Sequence, residues 1–372
     1  MYTRMVVTGD LWRPFLINRR WESATYRNIR WLWSLISGPA RLAGCDSSML
    51  SWDPGMDPRQ GIFFDTPRLY QALGEEISMP GWARVAGSST LVDGPASEML
   101  LEHVADALVV GYEMSDSQID ILAAAQVPFV DIILHPVRFL DDLVFAMRTN
   151  VPAIHEVLRQ MAVSESEIRQ KAALIRAKVA WMARPEPPLS PGTALVVGQV
   201  PADRALARKD GTFHELDEHL TRLHQLCTDH PKVLFKAHPL ATGDNTASNQ
   251  AMKKLPTVQH TTINFYHLMC QTEVEHVVAL NSSCLIEAPY FDKSSEALIP
   301  FLYDFGEAAP RGDGRPGAPM PLNGNWIEPD FWRRVLTGES KTERPMEAAP
   351  ANRLRRTMNA DWGYGFIEKV VA

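Results

Sequence analysis

Two doubly wound α/β domains facing each other across a cleft are what this sequence predicts, and three observations carry the prediction. After residue 192, short apolar runs alternate with stretches of helical spacing. A less regular alternation of the same kind runs through the first half. Between them lies Arg184-Pro-Glu-Pro-Pro-Leu-Ser-Pro-Gly192, a segment too rich in proline for a helix or an inner strand. The expected division is a first domain 1–184, a linker 185–192, a second domain 193–345, and a segment 346–372 that packs back on the first domain or forms a basic tail.

In the first half, strands are expected at Met5 to Thr8, Ala107 to Val110 and Pro128 to Leu134, with a helix at Ser117 to Ala125 between the last two. Ser164 to Met182 reads as a long helix, entered through Ser164 or Ser166 with acidic residues in its first turn. In the second half, Thr193-Ala-Leu-Val-Val197 suits a buried parallel strand, and Phe213, Leu216, Leu220, Leu223 and Cys227 recur at helical spacing. A strand at Lys232 to Lys236, a helix at Ile263 to Gln271, a strand at Val274 to Leu280 and a helix from about Ser283 follow. Ala309 to Asn325, rich in proline and glycine, reads as a loop beside the second domain.

Composition removes several classes of function. The 372 residues are 45% hydrophobic, enough for two cores and too apolar for a largely disordered chain. With 37 Lys+Arg against 44 Asp+Glu, the net charge of −7 argues against nucleic acid as the partner. Four scattered cysteines, Cys45, Cys227, Cys270 and Cys284, form no CxxC pair, so a disulfide scaffold or cysteine zinc site is not expected. Met1 to Asp10 has neither the basic nor the apolar region of an export signal, and the expected location is the cytoplasm. The apolar stretch Ile119 to Leu134 is interrupted by Asp120, Gln126, Pro128 and Asp131 and cannot cross a bilayer, so membrane contact would be peripheral. Trp12 to Arg41 holds four tryptophans and six arginines against Glu22 alone. It is either a basic aromatic face for a sugar chain or an anionic membrane, or an ordinary helix with Trp31, Leu32 and Leu35 turned inward.

Ligands of parallel α/β sheets bind beyond the carboxyl ends of the strands. In the second domain those ends run into Gly198-Gln-Val-Pro-Ala-Asp203, Lys236-Ala-His-Pro239 and Asn281-Ser-Ser-Cys284. Ser282 and Ser283 stand where free backbone N–H groups favour a phosphate or carboxylate, or serve only as a helix cap. His238, with Pro239 fixing the backbone and Lys236 adding charge, can donate to a phosphate oxygen, or is an ordinary loop histidine. Asp203 is a catalytic carboxylate, as base or as nucleophile, or an exposed loop charge. In the first domain Val110-Gly-Tyr-Glu113 offers Glu113 as an acid/base facing the second domain. His135, Arg138, Asp141 and Asp142 bind an acceptor or form an ion-pair network. No helical HxxxH or EF-hand-like metal spacing is present, no GxGxxG follows a strand, and GxxxxGK[ST], GxSxG and HExxH are missing, which removes ATPase, simple dehydrogenase and serine hydrolase readings.

Taken together, Gly198-Gln-Val-Pro-Ala-Asp203, Lys236-Ala-His-Pro239 and Leu280-Asn-Ser-Ser283 with Glu287 resemble the β-Kdo glycosyltransferases of the capsule-polysaccharide-biosynthesis type. The segments Gly111-Tyr-Glu113 and His135-Pro-Val-Arg-Phe-Leu-Asp-Asp142 are similar to the branch that adds Kdo to lipopolysaccharide glycans. The resemblance implies a GT-B-like pair of Rossmann-like domains and transfer from a CMP-Kdo donor to a glycan or glycolipid acceptor, with no metal or other cofactor. It implies that Gln199, Lys236, His238, Pro239, Asn281, Ser282, Ser283 and Glu287 hold the donor. It also implies that Asp203 is the catalytic carboxylate of a retaining transfer, with Glu113 as the base for the acceptor hydroxyl and His135, Arg138 and Asp141 on the acceptor side. His-Pro and Ser motifs also occur in enzymes that use other CMP-nonulosonates such as sialic or pseudaminic acid. A non-catalytic glycan-binding subunit of a polysaccharide assembly is the rival from another class.

Overall fold

The computed structural model describes residues 2–180, 188–241, 246–255, 257–306, 308–337 and 352–362. In chain order the first strands are β1 (Arg4–Gly9), β2 (Pro14–Ile17), β3 (Arg20–Ser23), β4 (Asp46–Ser51), β5 (Gly61–Phe63), β6 (Leu108–Tyr112), β7 (Phe129–Leu134) and β8 (Phe145–Thr149). They are followed by β9 (Thr193–Val197), β10 (Val233–Lys236), β11 (Val258–His260), β12 (Val274–Ala279), β13 (Ser294–Ala297) and β14 (Met320–Leu322). A seven-stranded sheet has the order β14-β8-β7-β6-β1-β4-β5, parallel from β7 to β5, with β8 antiparallel to β7 and β14 antiparallel to β8. A five-stranded sheet, β11-β10-β9-β12-β13, is parallel throughout. β2 and β3 form a separate hairpin.

The central strands of both sheets are covered on both faces, and the two-residue period of a strand shows why runs such as those of β1 and β9 are apolar without alternation. Met5 and Val7 enter one core and Val6 the opposite one. In β9, Leu195 and Val197 face one core while Ala194 and Val196 face another. Each sheet reverses its winding once. In the first the chain moves outward from β1 through β4 to β5, then returns to β6 on the other flank; in the second it moves from β9 through β10 to β11, then returns to β12. The crevices for ligands therefore lie beyond the carboxyl ends of the β1/β6 and β9/β12 pairs.

The expected elements of both halves are present with shifts at their ends. The helix Glu165–Val179 starts at Ser164, whose hydroxyl accepts the Glu167 N–H at 3.2 Å. The helix Asp116–Ala124 carries a full capping box between Ser115 and Gln118. The helix expected at Ile263 to Gln271 is the shorter Phe265–Met269. Phe213 lies ahead of the 3-10 turn Leu216–His219 and the helix Leu220–Asp229, and it packs both against the core that holds Leu216 and Leu223 and on the Trp82 ring at 6.4 Å.

Two boundaries are corrected. Ala309 to Asn325 is not a loop beside the second sheet: it contains β14, which closes the far edge of the first. A three-residue strand centred on Pro321 has no period to read, and proline is tolerated on this outermost strand, where its carbonyl still accepts the Val163 N–H at 2.8 Å. The following helix, Pro329–Thr337, puts Phe331, Trp332, Val335 and Leu336 into the same core as Trp31 and Phe145. The division at 193–345 therefore fails from about residue 320 onward. In the other direction, the helix Glu165–Val179 gives Ile168, Ala172, Ile175 and Val179 to a core of the second sheet. The linker residues 181–187 lie outside the described residues, as does most of the segment 346–372. The helix Arg353–Trp362 packs Leu354 and Met358 against the first sheet. Asp142 accepts the N–H groups of Leu354 and Arg355 at its start, both at 2.8 Å.

Candidate active site

The three polar strand ends of the second half converge. Gln199, Asp203, Lys236, His238, Pro239, Asn281, Ser282, Ser283 and Glu287 all line one pocket of about 350 Å³ beyond the β9/β12 crevice, a size within the range of small-molecule sites. Two of these residues act on each other. The Gln199 amide donates to Asn281 Oδ1 at 3.0 Å and accepts the Asn281 backbone N–H at 3.0 Å, and Asn281 Nδ2 donates to the carbonyls of Ala205 and Pro300. Gln199 and Asn281 thus lock the ends of β9 and β12 together, and their part is to position the pocket.

His238 and Ser283 are differently placed. His238 Nδ1 accepts the Leu240 N–H at 3.1 Å, so the neutral ring carries its proton on Nε2 and can donate it. Ser283 heads the turn Cys284–Glu287 but makes no side-chain capping bond, and the simple cap reading does not account for its hydroxyl. Ser282 accepts the Cys284 N–H at a long 3.4 Å. The α-helical part here is a single turn, so its dipole adds little. Glu287 is buried and accepts from the Arg138 N–H at 2.7 Å and from the Tyr266 hydroxyl at 2.9 Å.

Arg138 moves from its expected side. It reaches the pocket of the second sheet from the β7–β8 connection, with its Nε donating to the His135 carbonyl at 3.0 Å. His135 and Asp141 do not join it. His135 is buried, accepts the Val137 N–H at 3.1 Å, and has its pKa pushed down to about 3 by burial and by Arg138. Asp141 is exposed and paired with Lys171, and Asp142 is spent on the helix start described above. The cluster expected on the acceptor side is a connection that fastens three elements, and Arg138 is its member that lines the pocket of the second sheet.

A second pocket, of about 440 Å³, opens beyond the β1/β6 crevice and is lined by Asp10, Arg13, Phe15, Tyr112, Glu113 and Arg204, among others. The segment Pro201-Ala202-Asp203-Arg204 separates the two pockets, with Asp203 lining the first and Arg204 the second. Asp203 Oδ1 accepts the Ala205 N–H at 2.9 Å and so starts a 3-10 turn. Arg204 donates to the carbonyls of Glu113 at 2.5 Å and Met114 at 2.6 Å, and Arg13 donates to the Ala202 carbonyl at 3.3 Å. The strand-end loops of the two sheets are therefore bonded to each other at this wall.

Strain marks the same place. Glu113 and Ala202 have φ of 50° and 58°, left-handed conformations that cost a residue with a Cβ roughly 1–2 kcal/mol. At Gly111 a Cβ would come within 2.3 Å of the Met114 side chain, so the turn that presents Glu113 needs glycine two residues earlier. Glu113 is half-buried. Burial raises its pKa, the Asp203 charge adds to the rise, and Arg204 and Arg13 offset part of it.

Sequence reasoning missed Asp10. It is buried, accepts the Trp82 Nε1–H at 2.8 Å and the Trp12 N–H at 3.1 Å, and burial raises its pKa against the pull of Arg204 and Arg13. The signal was available: Asp10 follows the central strand β1 as Glu113 follows β6. Gln118 joins these two ends, donating to the Gly9 carbonyl at 3.1 Å and accepting the Leu11 N–H at 3.2 Å. Away from both pockets, His214, Glu218 and His219 are close enough for a metal. The Arg208 guanidinium already lies 2.7 Å from His214 Nδ1 and pairs with Glu218, so a cation occupies that position.

No family model matches the chain, and no curated protein does. Among solved structures it is similar to the β-Kdo 2,7 transferase of Thermosulfurimonas dismutans KpsC, with 15% identity over 57% of this chain and 71% of that one and a TM-score of 0.35. The β-Kdo 2,4 transferase of the same KpsC gives 13% identity over 53% and 71%, also with a TM-score of 0.35. A UDP-GlcNAc 2-epimerase of Methanocaldococcus jannaschii, in complex with UDP-GlcNAc and UDP, gives 8% identity over 96% and 98% with a TM-score of 0.28.

Proposed function

We propose that this chain is a retaining glycosyltransferase that moves Kdo from CMP-Kdo to a glycan or glycolipid acceptor of bacterial lipopolysaccharide or capsule. The observation that carries the reading is the convergence of Lys236, His238, Ser282, Ser283 and Arg138 on one pocket, with Asp203 at its edge and the Glu113 carboxylate across the wall. The donor carries a phosphodiester and a carboxylate. Two cations and three neutral donors match two anions without calling on a metal ion.

In this reading the Asp203 carboxylate attacks the anomeric carbon, the bond from that carbon to the phosphate oxygen breaks, and CMP leaves. The acceptor hydroxyl then gives its proton to Glu113 and attacks the same carbon, releasing Asp203. Two inversions retain the donor's configuration. Glu113 works only as its carboxylate, and its pKa is raised, so transfer is lost on acidification at a pH above the free glutamate value of about 4.3. Glu113→Gln is expected to lower the rate by roughly 10²–10⁴-fold and to abolish that acidic limb. A wild-type limb at or below the free value, or one that persists in the variant, assigns the base elsewhere.

The test of the whole reading is calorimetric binding and CMP release with CMP-Kdo, CMP-sialic acid, CMP-pseudaminic acid and UDP-GlcNAc. CMP-Kdo is expected to bind and to be consumed. Turnover of another CMP-nonulosonate would move the donor assignment while keeping the chemistry, and binding of a glycan with no cytidine nucleotide bound would establish the non-catalytic subunit instead.

A further inference from the structure

The β2–β3 hairpin leaves Phe15, Leu16 and Ile17 exposed at 57%, 52% and 39%. Successive residues of a strand point to opposite faces, so a strand packed on one side covers every second side chain. Here three in a row are uncovered: Leu16 stands on one face beside Trp21, and Phe15 and Ile17 stand on the other beside Glu22 and Arg20. Its turn is tight: Asn18 and Arg19 have φ of 48° and 65°, the backbone of a two-residue hairpin loop. Arg19 and Arg20 are exposed at this tip, and Arg27 and Arg30 are exposed on the helix Tyr26–Leu42 that follows. Along the sequence, Trp12 to Arg41 holds six arginines and one acid, Glu22, in a chain whose net charge is −7; of the six, Arg13 is turned inward onto the Trp82 ring and the Ala202 carbonyl.

We infer that this hairpin docks the protein on an anionic lipid bilayer, with Phe15, Leu16 and Ile17 entering the headgroup boundary and the arginines meeting lipid phosphates. A groove on a protein partner would cover one face of a two-stranded ribbon, whereas a bilayer surrounds both. The local positive charge in an acidic chain selects an anionic surface. Among the described residues no helix is long and apolar enough to cross a membrane, and a shallow finger requires none. Arg13, Pro14 and Phe15 also line the second pocket, so docking places that pocket at the lipid surface. If the transfer reading is right, its acceptor is then carried on a lipid.

The test is sedimentation with vesicles of phosphatidylethanolamine and phosphatidylglycerol, alongside vesicles of phosphatidylcholine alone. The wild type is expected to bind the anionic vesicles and to leave them as salt is raised. Leu16→Ser with Ile17→Ser, and separately Arg19→Glu with Arg20→Glu, are each expected to lower the bound-to-free ratio about tenfold or more. Unchanged thermal unfolding would show that these exposed changes leave the fold intact. A wild type that stays in the supernatant, equal binding to neutral vesicles, or variants that sediment like the wild type would each overturn the inference. Sugar turnover does not enter the readout, so failure of the donor assignment and failure of docking are separable.

Discussion

Asp203→Asn is expected to reduce transfer on the order of 10⁴-fold while leaving CMP-sugar affinity within about threefold. Asparagine is the informative replacement because Asp203 also starts the 3-10 turn through its bond to the Ala205 N–H. An amide oxygen keeps that bond, whereas alanine would add the loss of a cap, about 1 kcal/mol. The charge alone is then removed from the wall between the pockets. If the reaction is a double displacement, wild-type enzyme given donor without acceptor carries a sugar on Asp203, and intact-mass spectrometry finds it. A variant that still turns over at more than a tenth of the wild-type rate would place the nucleophile on another residue.

The largest loss of stability is expected from Asp131→Ala. Asp131 is fully buried in β7, where it accepts the Arg148 Nε–H at 2.9 Å and the Met114 N–H at 3.0 Å. Burial raises its pKa and Arg148 opposes the rise. Removing one member of such a pair leaves the other charge without its partner, at a cost of about 3–5 kcal/mol. That should appear as a lower urea midpoint with an unchanged slope. Arg148→Met added to Asp131→Ala should recover part of the loss, because the double variant buries no lone charge. A single-variant cost below about 1 kcal/mol would mean that water reaches the pair. Met114 follows Glu113 directly, so the same substitution should also loosen the turn that presents the base, and transfer should fall further than stability alone requires.

What could be read from the sequence follows from how local each signal is. The inner strands β1, β6, β7, β9, β10 and β12 were legible because an apolar run buried on both faces looks the same wherever it occurs. The strand-end motifs of the second half were legible because a single rule, that ligands sit beyond carboxyl ends, ranked Gln199, His238 and Ser283 together. Applied with equal weight to β1 it would also have found Asp10. Arg204 and Arg138 were harder. Each acts across the two sheets, Arg204 on the Glu113 carbonyl and Arg138 in the pocket of the second sheet, and no spacing within one segment encodes a partner about 90 or 150 residues away. The short edge strand β14 was invisible because its membership depends on the exposed flank of β8 and on nothing in its own three residues.

The return of residues 320–337 and 352–362 to the first sheet makes the two halves inseparable as folding units. Residues 1–184 alone would leave Trp31, Phe145 and the flank of β8 without Met320, Trp326, Phe331 and Leu354 to cover them. The second sheet alone would lack the helix Glu165–Val179 across one of its faces. Unfolding is therefore expected to be cooperative across the two sheets, and a cut in the proline-rich segment to leave neither piece stable.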